Sequence, residues 1–113
     1  MNRIVVVGGG WAGCAAATQA SKEGAEVILL ERTDMLLGSG LVGGIMRNNG
    51  RYTAAEEMLV MGGGELFEIT DNLARHRNID FPGHSHASLY DTINIAYAVE
   101  QLLKELNVKV RYR

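Results

Sequence analysis

The chain has 113 residues, of which 47% are hydrophobic, and a formal net charge of −2. This is a core-forming composition within the size of one small domain, without the basic excess that attracts nucleic acid. One cysteine excludes an internal disulfide and fits a reducing compartment, so a cytoplasmic protein is expected, and no apolar run approaches the ~20 residues of a membrane span.

The first strand is the apolar run Ile4-Val5-Val6-Val7, too short for the core of a signal peptide. It leads directly into Gly8-Gly9-Gly10-Trp11-Ala12-Gly13. An alanine-rich stretch follows as far as Ala20, then Gly24, then a second strand from Glu26 to Glu31. Strand, glycine motif, helix and a strand ending on an acid are the parts of a βαβ dinucleotide fingerprint, in order. Each residue type has a physical task. Gly8 permits the tight turn out of the strand, Gly10 withholds a side chain so that backbone can approach a pyrophosphate, and Gly13 lets the helix lie close on the sheet. The helix N-terminus, with the N–H groups of Trp11 and Ala12, aims unpaired donors and a positive dipole end at the phosphates. Glu31, about 20 residues beyond the first glycine, stands where a carboxylate accepts hydrogen bonds from ribose hydroxyls. It also repels a 2′-phosphate, which disfavours NADP and leaves FAD or NAD. Cys14 has two readings, a thiol of lowered pKa at a helix N-terminus or a small buried packing residue, and the second is the expectation.

Four glycines lie between Gly38 and Gly44, mixed with aliphatic residues. Such a segment can lay backbone N–H groups on an anion or a flat ring, with Leu41, Val42 and Ile45 packed beneath it. Thr53-Ala54-Ala55-Glu56 is a capping-box pattern that opens a helix from Ala54 to Met61, stopped by Gly62-Gly63-Gly64. Leu66, Ile69 and Leu73 mark a second amphipathic helix running to about His76. His84 and His86 share a face if their segment is extended, but no nearby carboxylate or thiol completes a ligand set, so no metal is expected. With Arg75 and Arg77 these histidines read as a polar rim. Asp91 can cap a helix from Thr92 to Leu106, with Ile95, Val99, Leu102, Leu103 and Leu106 on one side and a Glu100–Lys104 pair on the other. Asn107 ends it, and Val108 to Tyr112 alternates as a third strand.

The run from Arg3 to Arg32 resembles the N-terminus of FAD-dependent oxidoreductases with a glutathione-reductase-type Rossmann fold, and Gly24 to Arg32 is similar to the segment that closes their FAD-binding βαβ unit. Val5 to Cys14 is similar to the opening of the GidA-type flavoproteins that modify tRNA. Trp11 stands where those carry histidine, and their cysteine-containing segment after the second strand has no counterpart. The resemblance therefore implies the broader group rather than activity on tRNA. It implies noncovalent FAD, with Arg32, Ser39, Gly40 and Leu41 joining Gly8, Gly10, Trp11, Ala12, Gly13 and Glu31 as cofactor contacts.

The expected fold is α/β and Rossmann-like, a parallel sheet of order 3-2-1 with a helical insertion. Residues 1–32 form the βαβ unit, 33–90 the glycine-rich loop and insertion, and 91–113 the final helix and strand, together part of an FAD-binding domain. The first strand then lies open at the sheet edge, so self-association, or the remainder of a flavoenzyme or a completing subunit, is expected to cover it. Three functions compete: a portion of an FAD-dependent oxidoreductase passing hydride to flavin, an NAD-binding dehydrogenase module, and a non-catalytic Rossmann interaction domain. The long insertion counts against the second and the intact glycine–acid set against the third. No residues form a recognisable catalytic constellation.

Overall fold

The computed structural model describes residues 1–48, 55–77 and 88–113. In chain order the elements are β1 (Arg3–Val7), α1 (Trp11–Lys22), β2 (Glu26–Glu31), a 3-10 turn (Gly38–Gly40), β3 (Arg47–Asn48), α2 (Ala55–Val60), α3 (Gly64–Asn72), β4 (Ala74–Arg77), β5 (Ser88–Tyr90), α4 (Ile95–Glu105) and β6 (Lys109–Tyr112). Strands β1, β2 and β6 pair in parallel in that spatial order, with Val6 opposite Leu29 and Leu29 opposite Val110. This is the 3-2-1 order expected, and each parallel neighbour is reached through a helical crossover.

The central strand β2 sets the core. Its alternate residues Val27 and Leu29 are buried in one cluster with Cys14 and Ala17 of α1 and Ile95, Val99 and Leu103 of α4. Small residues on α1 and an i, i+4, i+8 stripe on α4 let both helices lie on this face. Helix α4 stops where Asn107 takes φ of 61°, with Val108 N–H bonded to the Leu103 carbonyl and Asn107 N–H to that of Lys104. That is a Schellman ending, and it turns the chain directly into β6. The other face of the sheet is uncovered among the described residues: Val5 is 52% exposed and Val7 82%, and their register partners Ile28 and Leu30 share that face. Among the described residues strand β1 pairs only with β2, so the open edge expected for it is present there, together with an open apolar face.

The insertion departs from expectation in several respects. The second helix ends at Asn72 rather than near His76, and residues 74–77 instead form β4, which pairs antiparallel with β5 in a second sheet of order β3-β5-β4. Gly64 opens α3 rather than continuing the stop after α2. Val42 is 72% exposed and Ile45 64%, so they do not pack beneath the glycine-rich loop; Leu36 and Leu37 are the buried aliphatics there. Helix α4 starts at Ile95 rather than Thr92, because Asp91 Oδ1 accepts the N–H groups of Ile93 (2.8 Å) and Asn94 (3.2 Å) and folds residues 91–94 into a turn first. Glu100 accepts the Tyr112 hydroxyl at 2.6 Å in place of a Lys104 ammonium. The capping residue Thr53 and both His84 and His86 lie outside the described residues. Among the described residues, no helix is long and apolar enough to cross a membrane.

Candidate nucleotide-binding site

The glycine turn joins the carboxyl end of β1 to the N-terminus of α1, and its three glycines do different things. Gly8 has φ of 102°, a conformation that a Cβ disfavours, and its N–H bonds the Leu30 carbonyl at 2.8 Å. A Cβ on Gly13 would lie 1.7 Å from the Gly8 carbonyl oxygen, so only glycine lets α1 start this close to the strand. At Gly10 a Cβ would meet nothing within 4 Å. Gly10 is thus not required by packing. It borders open space at a helix end.

That helix end is uncompensated. Gly10 is the N-cap of α1 with no side-chain capping bond, and no acidic residue lies in the first turn. The first intrahelical bond runs from Cys14 N–H to the Gly10 carbonyl, so the N–H groups of Trp11, Ala12 and Gly13 have no partner within the helix. The partial positive charge there suits an anion.

Glu31 closes the other side. The residue is 9% exposed, and its carboxylate accepts Gly9 N–H on Oε1 at 2.9 Å, and Thr33 N–H and hydroxyl on Oε2 at 2.8 and 2.7 Å. These bonds, the Thr33 hydroxyl foremost, hold its pKa below the ordinary carboxylate value, so it is ionised at neutral pH. Beyond it opens a cavity of about 380 Å³ at the carboxyl ends of the parallel strands, lined by Gly8, Glu31 and Arg32 with Arg111, Tyr112 and Arg113. In open α/β sheets this is the edge at which ligands bind.

Of the residues expected from sequence, Gly8, Glu31 and Arg32 meet at this cavity, whereas Gly10 and Gly13 do not line it. Trp11 and Ala12 border a second, apolar cavity of about 340 Å³ beside Met58, Phe67 and Tyr90. Gly40 is buried away from the first cavity. Its carbonyl accepts the Tyr90 hydroxyl at 2.6 Å, and a Cβ on it would meet Trp11 Nε1 at 2.3 Å. Ser39 is exposed and Leu41 half-buried, and neither lines the cavity at Glu31. Cys14 is fully buried, and burial, with the Glu31 charge, pushes its thiol up to about 12, which makes it a packing residue as expected.

Four participants were not singled out from the sequence. Gly9 is one: its N–H anchors Glu31, its carbonyl accepts Leu37 N–H at 2.7 Å, and a Cβ would lie 2.7 Å from Leu36. The other three are Thr33, the Arg111–Arg113 segment and Tyr90. A Thr two residues after the acid is a recognisable side-chain-to-backbone turn signal, whereas nothing local marks Tyr90, whose hydroxyl joins Trp11 to Gly40 across the fold.

The groups present fit a dinucleotide: backbone N–H donors at the N-terminus of α1, an ionised acceptor at Glu31 and a cavity beyond it. A parallel sheet with a glycine turn, an uncapped helix N-terminus and an acid closing β2 defines a Rossmann-type nucleotide-binding protein. The sequence profile described as Glucose inhibited division protein A matches residues 3–113, and the chain belongs to that family, with FAD as its cofactor. No match is found among curated proteins. Among solved structures the chain is similar to THI4 of Thermovibrio ammonificans (TM-score 0.59, 20% identity, 98% of this chain against 38% of that one). It is also similar to p-nitrophenol 4-monooxygenase PnpA of Pseudomonas putida DLL-E4 (0.63, 21%, 99% against 32%) and to the Diels-Alderase PyrE3 of pyrroindomycin biosynthesis (0.63, 20%, 99% against 25%). At these identities the likeness shows the fold, and the chain spans well under half the length of each.

Proposed function

We propose that the chain is the FAD-binding portion of a flavin-dependent oxidoreductase, holding the ADP half of the cofactor between the N-terminus of α1 and the carboxyl edge of β2. The observation that carries this reading is the pairing of a helix end at Gly10 that has no side-chain cap with an ionised Glu31 tied to the same turn through Gly9 N–H. The backbone N–H groups from Trp11 to Gly13 hold the pyrophosphate, Glu31 accepts the ribose hydroxyls, and Arg32 flanks the cavity where adenine enters. Ser39, Gly40 and Leu41 contribute backbone along the path of the rest of the cofactor. FAD, when bound, supplies a two-electron acceptor for hydride from a substrate. The substrate is held by protein beyond the described residues, in the same or a completing chain, and that protein also covers β1 and its open face.

The test is titration with FAD and with NAD, in the wild type and in Gly10→Val. The wild type is expected to bind FAD, and Gly10→Val to lose that binding while keeping its circular dichroism, because the added branches occupy the pyrophosphate approach. Equal FAD affinity in the two proteins counts against the cradle, and binding of NAD without FAD transfers the chain to the dehydrogenase reading.

A further inference from the structure

An ionised carboxylate offers about four lone-pair sites. On Glu31 three are taken, by Gly9 N–H on Oε1 and by Thr33 N–H and hydroxyl on Oε2. One site remains, on Oε1, whereas a ribose diol brings two donors. The two backbone donors cannot withdraw without undoing the β1–α1 turn and the bend after β2. The Thr33 hydroxyl can. It has one proton and two acceptors within reach, Glu31 Oε2 at 2.7 Å and the Met35 carbonyl at 3.0 Å, and its oxygen is also placed to accept Met35 N–H at 3.3 Å. Passing the proton's direction from one acceptor to the other takes rotation about a single C–O bond. The Thr33 lone pair left facing Oε2 then favours a small turn of the carboxylate toward the cavity. Thr33 is exposed, which leaves its hydroxyl room to turn.

We propose that Thr33 is a positioning residue for the ribose: without nucleotide its hydroxyl fills an acceptor site on Glu31, and it turns to the Met35 carbonyl when the ribose hydroxyls arrive. This rests on the ribose role of Glu31 proposed above. Nucleotide affinity is then set partly by the Thr33–Glu31 bond that binding must break, and Thr33 tunes it without touching the cofactor.

The experiment is calorimetric titration of the wild type, Thr33→Val and Thr33→Ser with ADP and with 2′,3′-dideoxy-ADP. Thr33→Val should bind ADP about two- to tenfold more tightly, the range expected for one hydrogen bond no longer exchanged. Its affinity for the dideoxy nucleotide should be unchanged, and Thr33→Ser should match the wild type for both. Thr33→Ala removes the same hydroxyl and gives the same pattern if the branched valine disturbs the bend. Weaker or unchanged ADP binding in the hydroxyl-less variants, or an equal change for both nucleotides, overturns the proposal. A wild type that does not distinguish ADP from its dideoxy form removes the ribose role of Glu31, and Thr33's role with it. A wild type that does distinguish them, with variants that keep the same ratio, removes Thr33 alone.

Discussion

Replacing Gly13 with alanine should be far more damaging to stability than replacing Gly10, although both lie in one motif. A Cβ on Gly13 would sit 1.7 Å from the Gly8 carbonyl oxygen and 2.9 Å from its carbon, backbone against backbone. No side chain can swing aside, so the first turn of α1 must retreat from the strand by more than about 1 Å to reach ordinary contact. Overpacking of this kind costs about 1–3 kcal/mol, and the better helix propensity of alanine returns only about 0.8–1.0 kcal/mol. Because the clash involves main chain on both sides, the upper end applies and the net loss should be about 2 kcal/mol. With a urea m-value of about 1–3 kcal/mol/M, the midpoint followed by circular dichroism should fall by about 1 M. Gly10→Ala meets no atom within 4 Å, loses only N-cap preference, and should stay within about 1 kcal/mol of the wild type while binding FAD more weakly. A Gly13→Ala protein that unfolds at the wild-type midpoint would refute the close helix–strand approach.

Glu31 should make the protein acid-sensitive. Its folded pKa is lowered from 4.5, so its contribution to stability is full above that value and is lost as pH falls toward its folded pKa; Glu31→Gln should flatten the stability profile in that range, and an unchanged slope contradicts the bonds to Thr33 and Gly9. Tyr90→Phe should cost about 1–3 kcal/mol by denaturant titration, since it removes a buried hydroxyl that accepts Trp11 Nε1–H at 3.1 Å and donates to the Gly40 carbonyl at 2.6 Å. A loss below about 0.5 kcal/mol speaks against that bridge. The open edge and face of β1 should make the 113-residue chain self-associate in sedimentation at micromolar concentration, with Val5→Lys and Val7→Lys reducing it; a stable wild-type monomer contradicts this.

The βαβ unit and the final helix and strand were legible because each combines a clear apolar pattern, unbroken in the first two strands and periodic in the last helix, with a marked end: Gly8 and Glu31 bound the first two strands, and Asn107 the last helix. The second sheet was not legible. Strand β3 has two residues and β5 three, and β4 reads Ala-Arg-His-Arg. None alternates apolar with polar, so these segments are strands through their mutual pairing rather than through intrinsic preference. The glycine-rich loop failed for a related reason. Composition required aliphatic residues inside, but the contact of Leu36 with the Gly9 turn and the bond from Leu37 N–H to its carbonyl decide that these two go in and Val42 and Ile45 stay out. In the site, the fingerprint residues were readable from their spacing. Arg111 to Arg113 reach Glu31 only because β6 pairs beside β2, a neighbour relation that a local motif does not encode.

The most direct measurement is amide-resolved NMR of the isotopically labelled protein during titration with FAD. The largest shifts should fall on Gly8 to Gly13, Glu31 to Thr33 and Arg111 to Arg113, with α3 little changed in its middle. A spectrum unmoved by FAD, or one whose shifts centre on Met58, Phe67 and Tyr90 while the glycine turn stays still, would contradict cofactor binding at the N-terminus of α1.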